Sequence, residues 1–184
     1  MIISMVKIIT FAISLLILTV NFSFAKKINN IVIKGNERIS SETIKVFSGV
    51  NSGDDLSDKD LNKILKDLYE TNFFKNVTVE IESNNLFINV IENQIIQEVV
   101  IDGIEKESLN EEIYETLILK NKSSYVEYLA KKDLQNIKNR LRVSGYYLSE
   151  VKTSIQENNN NTINLIYNID LGEKALIQKI KFIG

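Results

Sequence analysis

The 184-residue chain has no cysteine, no histidine, no tryptophan and no proline. Without Cys or His, a zinc centre lacks its usual ligands, and neither a thiol nucleophile nor a Ser/His/Asp triad can be assembled. Without Cys there is also no disulfide, so any small domain must stand on its apolar core. An excess of one charge is missing too: 22 Lys and Arg face 24 Asp and Glu, for a formal net charge of -2. The Lys residues alternate with acids instead of forming a basic stripe, which argues against nucleic-acid binding. Catalysis would have to rest on carboxylates, Lys, Ser or Tyr, and the acids are scattered. The composition therefore argues against an enzyme and implies no cofactor and no metal.

Apolar residues make up 44% of the chain, with seven Tyr and eight Phe among them, which is enough for folded domains and argues against disorder. Abundant Ile, Asn and Lys read as a compositional bias, so Asn-rich runs carry no functional weight.

Residues 1 to 25 hold a single charge, Lys7, then the apolar run Ile8 to Val20, then Asn21-Phe22-Ser23-Phe24-Ala25. Small residues at Ser23 and Ala25 suit a signal peptidase, so the segment reads as a secretory leader cut between Ala25 and Lys26. The alternative is an uncleaved anchor. A membrane span usually needs ~20 continuous apolar residues, and the run after Lys7 is shorter. The mature chain is thus expected to be exported.

Beyond the leader the chain repeats itself. Ile28-Asn-Asn-Ile31-Val-Ile33-Lys-Gly35, Ile96-Gln-Glu-Val99-Val-Ile101-Asp-Gly103 and Ile177-Gln-Lys-Ile180-Lys-Phe182-Ile-Gly184 each read as a strand ending in a glycine turn. Landmarks at domain-sized spacing mark tandem modules. In the first module Ser57 is placed to cap a helix on which Leu61, Ile64, Leu65, Leu68 and Tyr69 draw one apolar face. The period then changes to two. Val77, Val79 and Ile81 alternate with Thr78, Glu80 and Glu82, and Leu86, Ile88 and Val90 follow a turn, which predicts an antiparallel hairpin.

The second module follows the same order. Ser108-Leu-Asn-Glu111 reads as a capping box, with Ile113, Leu117 and Ile118 on the helix it opens. Ala130, Leu134, Ile137 and Leu141 mark the next helix, and Val151, Thr153 and Ile155 pair with Ile163, Leu165, Tyr167 and Ile169. Phe73, Phe74, Tyr146 and Tyr147 read as plugs at a helix-to-strand corner, with one of each pair left exposed. Each module is thus strand, helix, helix, strand, strand in ~70 residues, near the lower limit for an unstapled core. Two helices must cover one face of a three-stranded sheet.

This pattern resembles the POTRA domain. The residues that carry the resemblance are Leu68-Tyr69 with Phe74-Lys-Asn-Val77, Gly145-Tyr146-Tyr147-Leu-Ser-Glu-Val151, and the junctions Val90-Ile91-Glu92-Asn93 and Asp170-Leu171-Gly172-Glu173. Their order looks like the first two POTRA domains of outer-membrane β-barrel assembly factors. Gln94 stands where that family typically places a proline at its first junction. The implied fold class is α+β, tandem β-α-α-β-β modules with two helices on one face of a three-stranded mixed sheet. The implied organisation is a signal peptide at 1–25, a first POTRA domain at 26–92, a second at 93–172 and the truncated start of a third at 173–184, all within a fragment of a longer protein.

The resemblance further implies a periplasmic scaffold at the outer membrane, meeting unfolded outer-membrane proteins, assembly-complex lipoproteins and a periplasmic chaperone. It would reach the membrane only through a C-terminal barrel beyond Gly184. POTRA repeats also precede translocation and secretion barrels, and that alternative stays open.

In the fold so implied the first strand of each hairpin lies on a sheet edge, where unpaired backbone groups can accept an added strand. The candidate partner-binding residues are Val77, Thr78, Val79, Glu80 and Ile81 in one module and Val151, Lys152, Thr153, Ser154 and Ile155 in the other. Glu80, Glu82, Glu150 and Lys152 equally suit gatekeeping charges that keep such edges unpaired. A rival of another class is a hydrolase built on Asp54, Asp55 or Asp58, acids that solvation in a loop and a helix cap explains as well.

Overall fold

The computed structural model describes residues 25–176 and 179–180. Of the expected leader only Ala25 is among them, and Ile177, Gln178, Phe182 and Gly184 of the third strand motif lie outside the described residues. The first module comprises β1 (Lys26–Lys27), β2 (Asn30–Lys34), α1 (Ser41–Ser48), β3 (Asp55–Leu56), α2 (Asp58–Glu70), β4 (Phe74–Glu82) and β5 (Asn85–Glu92). The second comprises β6 (Ile95–Asp102), α3 (Glu107–Thr116), α4 (Glu127–Val143), β7 (Glu150–Glu157) and β8 (Thr162–Asp170).

Each module closes its own three-stranded mixed sheet, in the order β2-β5-β4 and β6-β8-β7. The first strand runs parallel to the central one, and the hairpin partner runs antiparallel to it. The α+β class expected from the sequence is the one observed. A short antiparallel pair, Lys26↔Leu56 and Lys27↔Asp55, adds a second small sheet to the first module that periodicity does not reveal.

Two apolar cores result, one per module. In the first, Ile44 of α1 and Ile64 and Leu68 of α2 meet Val77, Leu86, Ile88 and Val90 of the sheet. Full burial of each such side chain contributes ~1.5–3 kcal/mol. In the second, Leu109 and Ile113 of α3 and Ile137 and Leu141 of α4 cover Val151, Ile163, Leu165, Tyr167 and Ile169. The corner aromatics divide as their pairing suggests: Phe74 is buried and Phe73 partly exposed, while Tyr146 packs on the core and Tyr147 stands in solvent.

The glycines that end the first strands answer a definite steric demand. Gly35 and Gly103 adopt φ of +82° and +89°, and a Cβ at either would overlap the carbonyl oxygen of Val90 or Ile169 on the central strand. Only glycine combines that backbone with that approach. The heads of the same strands are tied down in matching ways. Ile28 donates to the Asp54 carbonyl at 2.8 Å and accepts from Gly53 at 2.6 Å. Ile96 donates to the Ser123 carbonyl at 2.9 Å and accepts from Lys122 at 2.7 Å.

One helix differs from expectation at both ends. α3 starts at Glu107 with Lys106 as its N-cap and no side-chain capping bond, so the Ser108–Glu111 box does not form. That helix also ends at Thr116, leaving Ile118 outside it, about half exposed. The cause of that early end is tertiary. The backbone N–H groups of Ile118 and Leu119 leave the helix to donate to the Asp133 carboxylate at 2.6 and 3.0 Å.

Candidate functional site

β4 and β7 each lie at the edge of their sheet. Val77, Thr78, Val79, Glu80 and Ile81 fall in β4, and Val151, Lys152, Thr153, Ser154 and Ile155 in β7. The register decides which of these residues turn their backbone outward. A two-residue turn, Ser83-Asn84 at φ of 46° and 64°, closes on the pair Glu82↔Asn85. Such a turn flanks a hydrogen-bonded pair, and bonded and non-bonded pairs alternate along an antiparallel ladder. Glu80 and Thr78 therefore bond inward to β5, and Val77, Val79 and Ile81 direct N–H and C=O away from the sheet.

The same count applies to β7. Asn158 donates to the Thr162 carbonyl at 2.9 Å, which makes that pair a bonded one. From the register Val151↔Ile169, Thr153↔Tyr167, Ile155↔Leu165 and Glu157↔Ile163, the outward groups belong to Val151, Thr153, Ile155 and Glu157. Lys152 and Ser154 bond inward. Alternate side chains such as Thr78, Glu80 and Lys152 are on the sheet face away from the core, all three exposed. There Lys152 pairs with Glu150 at 3.1 Å. These charges flank the edges without lying in their plane.

The two edges are not equivalent. In the first module the Tyr69 hydroxyl accepts the outward N–H of Val77 at 3.0 Å and donates to Asn76 Oδ1 at 3.2 Å. Just before it the ladder is broken by a bulge between Phe74 and Asn76. In the second module the register runs unbroken from Glu150 to Glu157. Among the described residues no other group bonds to the outward backbone of β7. Arg142 occupies the place in α4 that Tyr69 holds in α2, three residues before the helix-ending Gly145 and Asn72 respectively. The sequence shows Tyr69 as one more residue on an apolar helix face; only its hydroxyl's reach to a distant strand gives it this role.

β7 borders an open cleft of about 1540 Å³ between the modules, lined by Thr153 and Ile155 of β7, Tyr128 and Leu134 of α4, and Tyr69 and Lys75 of the first module. Tyr125, at the same cleft, has its phenol pushed above the ordinary range by burial and by the Glu127 charge. Glu127 itself pairs with Lys131 at 2.6 Å.

The end of the first module is held by a buried carboxylate. Glu92 Oε1 accepts the consecutive N–H groups of Glu37, Arg38 and Ile39 at 2.9, 3.0 and 2.9 Å. Its Oε2 faces the Arg38 guanidinium at 3.0 Å, and Arg38 also donates to the Asn93 carbonyl at 2.7 Å. Burial alone would raise the Glu92 pKa, but the three backbone bonds and the arginine charge together hold it below the ordinary glutamate range. Asn93 in turn donates to the Phe73 and Asn72 carbonyls at 2.8 and 2.9 Å. In the sequence Glu92 is marked only as part of a junction.

The remaining candidates take structural places. Asp54 accepts from Asn51 N–H at 2.8 Å, Asp55 lies in β3 and Asp58 in the first turn of α2. Among the described residues no group of three or more acids, His or Cys is arranged to hold a metal ion. Ala25 and Lys26 are both exposed.

Comparison with known proteins gives the class. A family model described as POTRA, surface antigen variable number repeat, matches residues 26–93 and 94–172, and the chain belongs to that family. Its similar curated relatives are outer membrane protein assembly factors BamA. That of Nitratidesulfovibrio vulgaris is 23% identical over 168 residues, 89% of this chain and 21% of the relative. That of Neorickettsia risticii is 31% identical over 83 residues, 45% of this chain and 11% of the relative. The chain thus spans about a fifth or less of the length of these relatives. Among solved structures, POTRA1-2 of the periplasmic domain of Omp85 from Anabaena aligns with a TM-score of 0.50 at 14% identity, covering 79% of this chain and 96% of that one. The N-terminal domain of Omp85 from Thermosynechococcus elongatus gives 0.50 at 15% identity, covering 76% and 61%. At such identities the likeness is one of fold.

Proposed function

We propose that the chain is the periplasmic scaffold portion of an outer-membrane β-barrel assembly factor, which receives unfolded outer-membrane proteins and passes them toward a barrel. In this reading residues 1–25 are a cleaved leader, 26–92 and 93–172 are the two receiving modules, and 173–184 begin a third. The mechanism is β-augmentation: an extended client adds a strand to an exposed sheet edge. The observation that carries it is the edge position of β4 and β7, with outward backbone groups in both. Backbone bonds are nearly blind to side-chain identity, so one edge serves many clients. Each contributes ~1 kcal/mol net, and association itself is costly, so single docking events are weak and several modules in series supply avidity. Assembly-complex lipoproteins and a periplasmic chaperone are the other partners this reading includes.

Photo-crosslinking side chains placed one at a time at Thr78 and Ser154 test it. On rapid dilution of a urea-unfolded outer-membrane barrel protein into the chain, at least one of the two positions is expected to crosslink several-fold more than the same group at Asn62 on the solvent face of α2. Equal crosslinking at all three sites would count against an edge-directed scaffold.

A further inference from the structure

We infer that the two modules divide the work, with β7 rather than β4 as the receiving hairpin edge, an extended segment alternating apolar with polar residues as its occupant, and Tyr69 keeping β4 closed. This rests on the augmentation reading above and adds to it the choice of edge, the chemistry of the client and the residue that enforces the choice.

Hydrogen bonding separates the edges. An incoming strand on β4 would have to displace the Tyr69 hydroxyl from Val77 N–H, and the bulge between Phe74 and Asn76 interrupts the ladder just beyond. That leaves Val79 and Ile81 as a short remnant. β7 presents Val151, Thr153, Ile155 and Glu157 in unbroken register. At roughly 3.4 Å per residue this row extends about 20 Å, the reach of a strand of about seven residues. Donors and acceptors recurring every second residue match another extended backbone and little else.

The surroundings select the client's side chains. An added strand at β7 would send alternate side chains toward α4, where Ala130 is buried, Leu134 packs on the core and Tyr128 is half exposed. Ile155, 43% exposed, borders the same groove. The other side chains would point to the opposite sheet face, beside exposed Lys152 and Ser154. A segment with apolar residues at every second position satisfies both sides at once, and that alternation is the pattern of strands destined for a membrane barrel. A uniformly polar segment leaves the apolar surface of the α4 side facing water. A uniformly apolar one exposes half its side chains to water.

The test is an amide NMR titration of the two-module chain with a seven-residue peptide alternating Val or Tyr with Thr or Ser. The expected result is shifts and slowed hydrogen exchange at Val151, Thr153 and Ile155, and none at Val79 and Ile81. N-methylation of the peptide should weaken binding at least tenfold, as should scrambling its alternation. Thr153→Pro should keep the fold, because proline is tolerated where an edge N–H faces outward, yet weaken binding at least tenfold. Tyr69→Phe, which retains the ring and removes the hydroxyl, should add new shifts at Val77 and Val79. Protection at Val79 and Ile81 equal to that at Thr153 and Ile155 would overturn the choice of edge and leave augmentation standing. A Tyr69→Phe variant whose β4 stays silent would overturn the role given to the tyrosine. No response at either edge to any of these peptides would overturn the augmentation reading itself.

Discussion

The first and second modules share order, sheet topology, a steric glycine and a tied strand head, yet they solve four local problems differently. Where Ile33 of the first module pairs with Ile88, Ile101 of the second pairs with Tyr167. Tyr167 is fully buried and donates to Asp133 at 2.9 Å, and Asp133 also takes the Ile118 and Leu119 N–H groups. The left-handed position that ties the strand head is Gly53 in one and Lys122, at φ of 68°, in the other. Two residues beyond the Val90 that faces Gly35 the first module has the buried Glu92; two residues beyond the Ile169 that faces Gly103 the second has Leu171, packed on its core. The Tyr69 hydroxyl caps the edge in one; in the other, Arg142 holds the matching helix position and no group among the described residues bonds the outward edge. Shared features are those the topology demands. The differing ones concern how each module meets a neighbour or a client.

The largest way to break the comparison is Asp133→Ala. It orphans three donors, two of them backbone, and an unsatisfied buried donor costs ~1–3 kcal/mol. By the same measure a loss of about 4 kcal/mol, read by urea unfolding, is expected in the second module, with the first module's amide exchange unchanged. Burial and the Asp133 charge push the Tyr167 phenol well above its ordinary range, so it should stay protonated and show no phenolate absorbance while the module is folded.

Next comes Glu92→Gln, which confines damage to the first module and the junction. Hydrogen bonds to a charged group are worth ~1.5–3 kcal/mol, so a loss of about 2 kcal/mol at neutral pH is expected. The native carboxyl titrates below the ordinary value of 4.5, so its contribution is present above about that pH and is lost as pH falls through the lowered native value. The stability gap between wild type and Glu92→Gln, measured by denaturant titration at pH 7 and pH 3, should therefore shrink on acidification. A gap that is constant or widens would contradict the geometry at Glu92.

The smallest effect sharpens the comparison at the tied strand heads. Lys122 carries the steric penalty of a left-handed residue, ~1–2 kcal/mol, while glycine there would lose some of that gain to a freer unfolded chain. Lys122→Gly should stabilise the second module by about 0.5 kcal/mol on that balance. Gly53→Lys, at φ of 101°, should destabilise the first module by more than that. Thermal melting of the pair of variants reads both signs.

Much of the fold was legible in the pattern of residues. The period-two runs at Val77–Ile81 and Val151–Ile155 locate both hairpins, and Leu61, Ile64 and Leu68 locate α2, because local periodicity and burial agree there. The recurring glycines mark the modules because Gly35 and Gly103 meet the same steric demand in each. The capping box expected at Ser108 does not form, and the early end of the same helix shows the limit of local signals: Asp133, fifteen residues from Ile118, draws the Ile118 and Leu119 N–H groups away from helix. In the sequence Tyr69 is legible only as part of an apolar helix face and Glu92 only as part of a junction, and Asp133 not at all; none of the three shows there the hydrogen bonds it makes.

The linear order of residues thus determined the composition of two self-sufficient cores, their strand-helix-helix-strand-strand order and the side of each strand that faces apolar neighbours, since all of these follow from short-range periodicity. Only the tertiary structure decided which backbone groups turn outward at the rim, that a tyrosine hydroxyl bonds one of them, and that a buried glutamate ties the end of the first module to the loop after its first long strand. Those outcomes depend on register and on contacts between residues far apart in the chain, and hydrogen-bonding geometry of that kind is set only when the elements meet.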